Sequence, residues 1–156
     1  LELRGQKFAV VNVSGVGYKI FAATETLNKL PEKNSGVNPS TELRVKLWTH
    51  QYVRENTLEL YGFLSFAELD MFETLIGISG IGPRGALGVL SIAPIDTLKK
   101  AIATGDISYL TRVSGIGKKT AEKIVLELKE KMSGSSEVSA PELKEEDDKW
   151  KDPELF

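Results

Sequence analysis

Two short phrases contain the residues whose types and spacing suggest binding chemistry. Ser79-Gly80-Ile81-Gly82 is repeated 35 residues later as Ser114-Gly115-Ile116-Gly117. Glycines let a chain reverse through a positive φ, and they keep side chains away from a ligand that approaches the backbone. Helical residues follow each phrase, and the first N–H groups of a helix, with the positive end of its dipole, attract an anion. The repeat therefore predicts two sites for phosphate oxygens.

Basic side chains follow each phrase. Lys118 and Lys119 follow the second copy, whereas the first is followed by Pro83, which fixes a helix start without donating a hydrogen bond, and Arg84. We therefore expect more positive charge at the second hairpin. The residues predicted to contact phosphate are Ser79, Gly80, Gly82, Arg84, Ser114, Gly115, Gly117, Lys118, Lys119 and Lys123. Because phosphate contacts carry no base identity, such binding would tolerate any DNA sequence.

Apolar positions predict how the hairpins are held. Ile81 and Ile116 would point inward and anchor their turns, and Ala86 and Ala121 fall at matching places in the helices that follow. These features predict two helix-hairpin-helix units. A Gly-x-Gly turn can also do no more than join two packed helices, but two copies followed by basic residues favour binding sites.

The elements that position these phrases are predicted to be helices. From Ser65 the apolar residues recur with a period near 3.6, and Ser65 with Glu68 has the pattern of a capping box. Further helices are expected from Pro83, from about Pro94 to Ala103, from Asp106, and from Lys118 to Met132.

The first third of the sequence alternates in the manner of β-strands. The segments KFAVVNV, GVGYKIFAA, TELRVKLWTHQYV and LELYGF are rich in apolar and β-branched residues. A short helix at TETLNKL, capped by Thr24, is expected between the second and third segments. Several short strands with one small helix favour a small barrel of the OB-fold type.

The predicted fold class is α+β. An N-terminal OB-fold-like β-barrel at 1–63 would precede an all-helical domain with two helix-hairpin-helix motifs at 64–133 and a disordered acidic tail at 134–156. The tail is rich in Ser, Glu, Asp and Pro, which is typical of a flexible segment. A second interpretation makes it a partner-binding peptide that uses Trp150, Leu155 and Phe156.

The formal net charge of −2 combines two regions of opposite charge. Residues 137–156 hold eight acidic and three basic residues, whereas residues 1–136 hold 14 acidic and 17 basic residues. The part of the chain with the repeated phrases is therefore positive, as expected for a protein that binds nucleic acid.

Composition argues against several other classes of protein. Cysteine is absent and His50 is the only histidine, so neither a disulfide framework nor a zinc cluster is expected. We recognise no phosphate-binding loop of the nucleotide hydrolases, no catalytic carboxylate pair and no nucleophile motif, and therefore expect a non-catalytic protein without metal or cofactor. Without a membrane span or signal peptide in the sequence, a cytoplasmic location is expected.

The two SGIG phrases, with the segments GVGYKI and THQYVRENTLELYGF, resemble the RuvA family, the Holliday-junction-binding subunits of the bacterial branch-migration complex. The resemblance covers approximately residues 7–132. It implies a homotetramer that grips a four-way DNA junction, with the hairpins on the minor-groove backbones of the arms. It also implies a hexameric RuvB-like ATPase and a RuvC-like resolvase as partners.

Three features depart from the family pattern. The family normally has one more strand before the segment LELRGQK, and it ends in a small third helical domain that contacts the ATPase. It also carries two adjacent acids at the tip of a barrel hairpin, the acidic pin that faces the junction centre, where the resemblance places Glu55 and Asn56. One carboxylate there would repel phosphates less strongly than two.

The sequence leaves two other functions open. Asp96 and Asp106 follow the first hairpin, as a catalytic aspartate does in helix-hairpin-helix DNA glycosylases, although no base pocket is readable. The other possibility is a generic duplex-binding module without junction preference.

Several apolar side chains have more than one interpretation. Trp48, Tyr52, Tyr61 and Phe63 could stack on single-stranded bases, but their alternation favours the core or the domain junction. Leu126 falls outside the apolar stripe of the last helix, and it is either an isolated exposed leucine or a contact with another subunit.

Overall fold

The computed structural model describes residues 1, 3–31 and 44–134, in which a five-stranded sheet precedes a set of helices. Its strands are β1 (Leu3–Arg4), β2 (Phe8–Val13), β3 (Val16–Phe21), β4 (Trp48–Arg54) and β5 (Thr57–Phe63). Their order across the sheet is β1-β2-β3-β5-β4, and helix α1 (Thr24–Lys29) lies between β3 and β4 along the chain. This arrangement confirms the predicted OB-fold-like unit.

Two tight hairpins lie side by side in the sheet. Ser14-Gly15 forms the turn between β2 and β3, with the positive φ angles of 51° and 86° that suit a two-residue hairpin. Glu55-Asn56 forms the turn between β4 and β5. Because β3 and β5 are parallel, pairing Ile20 with Leu60, both turns lie at the same end of the sheet.

Buried aromatic rings join the sheet to the helices. Phe72 of helix α2 (Phe66–Ile76) packs against Tyr61 and Phe63 of β5, with ring centroids 5.2 and 4.9 Å apart. None of the three rings is more than 1% exposed. Such pairs contribute about 0.5–1.5 kcal/mol beyond the burial of their area. Tyr61 and Phe63 are therefore core residues, as their alternation predicts.

The elements that follow α2 are α3 (Pro83–Leu90), α4 (Ile95–Thr104), a 3₁₀ turn (Leu110–Arg112) and α5 (Lys118–Gly134). The capping box at the start of α2 is confirmed. The Ser65 hydroxyl accepts the Glu68 N–H at 3.3 Å, and the Glu68 carboxylate accepts the Ser65 N–H at the same distance. No helix in the described part of the chain is long and apolar enough to cross a membrane.

Three predicted boundaries were wrong. Ala23 is the N-cap of α1, and Thr24 is already helical. The long strand begins only at Trp48, since residues 44–47 adopt no regular structure. No α-helix begins at Asp106, because its carboxylate accepts the Ser108 N–H at 2.9 Å and so stabilises a turn; only the 3₁₀ turn follows.

Strand β1 was not found from the sequence. Leu3 and Arg4 pair with Val10 and Ala9 of β2, but two residues are too few to show alternation. The disordered tail was predicted at 134–156; Gly134 is the last residue of α5, and residues 135–156 lie outside the described residues.

Candidate nucleic-acid interface

The two repeated phrases fold into the same turn. The first glycine of each phrase, Gly80 or Gly115, has a φ of 94° or 89°. The N–H of the next residue donates to the carbonyl three positions back, at 3.1 Å from Ile78 and 3.0 Å from Val113. A positive φ is unfavourable for most residues that carry a Cβ, so the backbone itself favours glycine at these two positions.

Buried side chains anchor both turns. Ile81 and Ile116 are 7% and 6% exposed, and Ala86 and Ala121 are fully buried, which confirms the predicted inward orientation of the isoleucines. The N–H of each alanine donates to the carbonyl of the second glycine of its phrase, at 3.0 and 2.9 Å. Helices α3 and α5 therefore start in the same way.

Backbone conformation does not require the second glycine of each phrase, in contrast to the first. Gly82 has a φ of −91°, which any residue can adopt, and the φ of Gly117 also lies outside the left-handed region. A Cβ added at either position would meet no atom within 4 Å. Both glycines are exposed, as are Ser79 and Ser114. Within the described residues, no atom would obstruct a side chain at Gly82 or Gly117. The absence of a side chain at these positions therefore leaves the backbone open to solvent.

The second hairpin has the predicted positive charge. Lys118 and Lys119 lie in the first turn of α5 and are exposed. Neither ammonium group forms an ion pair with any residue that the structure describes. The first-turn N–H groups of α5 have no intrahelical acceptor, so this loop combines backbone donors with two mobile cations.

Arg84 occupies the place in the first motif that Lys119 has in the second, but its side chain turns toward the sheet. Its Nη2 atom lies 3.7 Å from Glu59 Oε1, and its Cζ atom lies 5.7 Å from the ring centre of Phe21. Glu59 also accepts the Tyr61 hydroxyl at 2.6 Å; burial, followed by this hydrogen bond, raises the pKa of Tyr61. Arg84 thus contacts β5 and β3 in this structure.

Lys123 reaches the first hairpin although it belongs to the helix of the second. Its Nζ atom donates to the Ser79 carbonyl at 3.4 Å and lies 3.7 Å from Glu127 Oε1. The sequence predicts Lys123 as a phosphate contact but gives no sign of its contact with Ser79. The two residues are 44 positions apart, and no local pattern links them.

Glu55 and Asn56 form the exposed tip of the β4–β5 hairpin. Next to them, Arg54 Nε donates to the Tyr52 hydroxyl at 2.8 Å, and the guanidinium lies 5.2 Å from the Tyr52 ring centre. The tip therefore presents one carboxylate beside a cation that is held against an aromatic ring.

The residues considered for other chemistry have structural contacts or lie on the surface. Asp96 is exposed in the first turn of α4. Asp106 is also exposed, and hydrogen bonds from Ser108 hold its pKa below the usual value. His50 Nδ1 lies 2.9 Å from Glu73 Oε1 and links β4 to α2. Across residues 1, 3–31 and 44–134, no group of three acidic or histidine side chains could hold a metal ion.

An OB-fold-like sheet followed by two matching hairpins defines a tandem helix-hairpin-helix protein. Comparison with known families agrees, since residues 1–62 match the RuvA N terminal domain and residues 72–130 match the SAM-like helix-hairpin-helix tandem. The chain belongs to the RuvA family.

Curated relatives cover both halves of the chain. The Holliday junction branch migration complex subunit RuvA of Caldanaerobacter subterraneus subsp. tengcongensis is 42% identical over 132 residues, which are 85% of this chain and 66% of the relative. The RuvA subunit of Thermoanaerobacter pseudethanolicus is 44% identical over the same shares. That of Dehalococcoides mccartyi is 41% identical over 138 residues, or 88% of this chain and 67% of the relative. The chain thus spans about two thirds of the length of these relatives.

Proposed function

We propose that the chain binds the phosphate backbones of DNA through its two hairpins and recognises four-way junctions. The observation that carries this proposal is the second glycine of each hairpin. Gly82 and Gly117 leave backbone open to an outside molecule, although the fold would accept a Cβ at both positions. The names of the relatives, which are subunits of Holliday junction branch migration complexes, support the junction as the ligand.

A phosphate oxygen beside either loop would meet N–H groups of the first helical turn and the positive end of the helix dipole. Lys118 and Lys119 would add charge at the second loop, where both are exposed. The ten residues predicted from the sequence remain the proposed contact set. Because amides and lysines of this kind contact only the backbone, the chain would select DNA by its shape and tolerate any base sequence.

Glu55 is proposed to face the centre of the junction. Its place at the tip of a hairpin lets a carboxylate extend away from the sheet toward converging strands. The negative charge would repel phosphates and help to keep the strands apart at the crossover. Asn56 adds no charge, so this repulsion would come from one acid in each subunit.

Assembly into a homotetramer is supported by apolar side chains that the adjacent hairpins leave in solvent. Val13 and Val16 pair across the β2–β3 hairpin, and Val53 and Leu58 pair across the β4–β5 hairpin. Their exposed fractions range from 52% to 67%. Grouped exposed apolar residues are typical of interaction surfaces. Leu126 of α5, which is 60% exposed, is proposed as a separate contact with another subunit.

In this proposal the chain supplies binding and geometry and performs no chemistry. A separate hexameric ATPase would move the DNA, and a resolvase would act on the junction that the scaffold holds open. Both partners are proposed from membership of the RuvA family.

The test is a gel-shift competition between a labelled four-way junction and a linear duplex of the same total sequence. The proposal predicts strong preference for the junction. Equal binding to both would instead support the generic duplex-binding module, and no binding to either would contradict the proposed function altogether.

The role of the open glycines can be tested in the same assay. Gly82→Ala and Gly117→Ala should each weaken junction binding about tenfold or more while unfolding in urea is unchanged, because the new methyl group blocks only the outside molecule. Gly85→Ala is the matched control. Its Cβ would make an ordinary contact with Ile81 Cγ2 at 3.5 Å, so DNA binding should be retained.

A further inference from the structure

The two motifs pack against each other's hairpins. The 35-residue repeat pairs Gly88 of α3 with Lys123 of α5. A Cβ at Gly88 would lie 2.7 Å from Cγ1 of Val113, next to the second hairpin. Lys123 contacts the Ser79 carbonyl of the first hairpin. Equivalent positions thus make reciprocal contacts, but one is a glycine in close packing and the other a lysine.

The first hairpin has one cation in its own helix, Arg84, and this side chain lies beside the sheet although it is 73% exposed. Pro83 stands where the second motif has Lys118, and the side chain of Arg84, where the second has Lys119, lies near Glu59 and Phe21 of the sheet. The second hairpin, in contrast, has two lysines of its own. If each hairpin had only the cations of the helix that follows it, the second hairpin would be more positive than the first.

We propose that Lys123 supplies a second cation to the first hairpin, so that the first phosphate site is built from both motifs. The backbone groups would come from the loop at Gly80 and Gly82, and the ammonium group from α5. This inference rests on the proposed function, because it assigns a residue to one of the two phosphate sites.

One ammonium group can donate to the Ser79 carbonyl and to a phosphate oxygen at the same time. A lysine ammonium has three N–H donors, and the Ser79 carbonyl takes one of them. The Lys123 side chain is 44% exposed, so a second donor can face a phosphate oxygen in solvent. Glu127 Oε1 lies 3.7 Å from the ammonium group on the next turn of α5, on the same face of the helix.

A double-mutant cycle tests which hairpin Lys123 serves. Junction binding is measured by fluorescence anisotropy at several salt concentrations for the wild type, Lys123→Met, Gly82→Ala, Gly117→Ala and both double variants with Lys123→Met. Lys123→Arg is the conservative variant, and urea unfolding checks that each variant folds.

We expect Lys123→Met to weaken binding about fivefold and to lower the salt slope by about 0.9 for each phosphate that is no longer neutralised. It should have the same effect in the Gly117→Ala background and little further effect in the Gly82→Ala background, whose first site is already impaired. Lys123→Arg should keep most of the wild-type affinity and slope.

Three results would overturn the assignment: a silent Lys123→Met, an effect that disappears with Gly117→Ala and persists with Gly82→Ala, or a weaker affinity with an unchanged salt slope. Failure of the proposed function gives a different result, because the wild type itself would then not bind the junction.

Discussion

Replacing Gly88 by alanine tests whether the two motifs are as tightly packed as the structure indicates. A Cβ at this position in α3 would lie 2.7 Å from Val113 Cγ1 and 3.9 Å from Val113 Cβ. The first distance is too short for a stable contact, so either α3 or Val113 must move. Val113 is β-branched, with a restricted χ1, and directly precedes the Ser114 loop, which leaves it little freedom to turn away.

Two effects of opposite sign determine the result. Alanine is favoured over glycine in a helix interior by about 1 kcal/mol. Overpacking of a well-filled interior costs about 1–3 kcal/mol. We therefore expect Gly88→Ala to lower the free energy of unfolding by about 1 kcal/mol, which corresponds to a decrease in Tm of about 4 °C.

Urea denaturation followed by circular dichroism measures this change, and the same helix offers a control. Gly85→Ala makes only an ordinary contact at 3.5 Å with Ile81 Cγ2, so it should stabilise the protein by up to about 1 kcal/mol. In a Val113→Ala background, Gly88→Ala should also become stabilising, because the obstructing methyl group is gone. If Gly88→Ala stabilises the wild type as much as Gly85→Ala does, the packing argument is refuted.

Three further predictions concern the helix cap, the cations and one carboxylate. Ser65→Ala removes the side-chain acceptor at the start of α2 and should cost about 1 kcal/mol in urea unfolding; an unchanged midpoint would show that the capping box contributes nothing. Replacing Lys118 and Lys119 together by alanine should make log K for DNA less dependent on log salt, by about 0.9 for each phosphate that these lysines neutralise, and an unchanged dependence would mean that they touch no phosphate. The pKa of Asp106 is lowered in the folded state, so its stabilising effect is present above the unfolded pKa and is lost as the pH falls through the folded one. Asp106→Asn should therefore lower Tm at pH 7 and make little difference near pH 2, whereas an equal decrease at both pH values would contradict this linkage.

Features that depend only on neighbouring residues could be predicted from the sequence. A repeated Gly-x-Gly phrase predicts a turn because glycine adopts a positive φ more easily than other residues do. Gly80 and Gly115 have that conformation. A capping box needs only two residues three positions apart, so Ser65 and Glu68 predicted it. Hydrophobic periodicity changes from two to 3.6 near Ser65, which separates the strands from the helices.

The partners of the long side chains could be read only from the folded chain. Arg84 and Lys123 were both predicted to contact phosphate, but nothing in the sequence indicates that Arg84 lies near Glu59 of the sheet or that Lys123 contacts Ser79 of the other motif. Gly88 has no local signature, since its requirement arises from Val113 across the interface. The contacts of long, flexible side chains and of closely packed helices involve residues that are distant in sequence, and only folding brings these residues together.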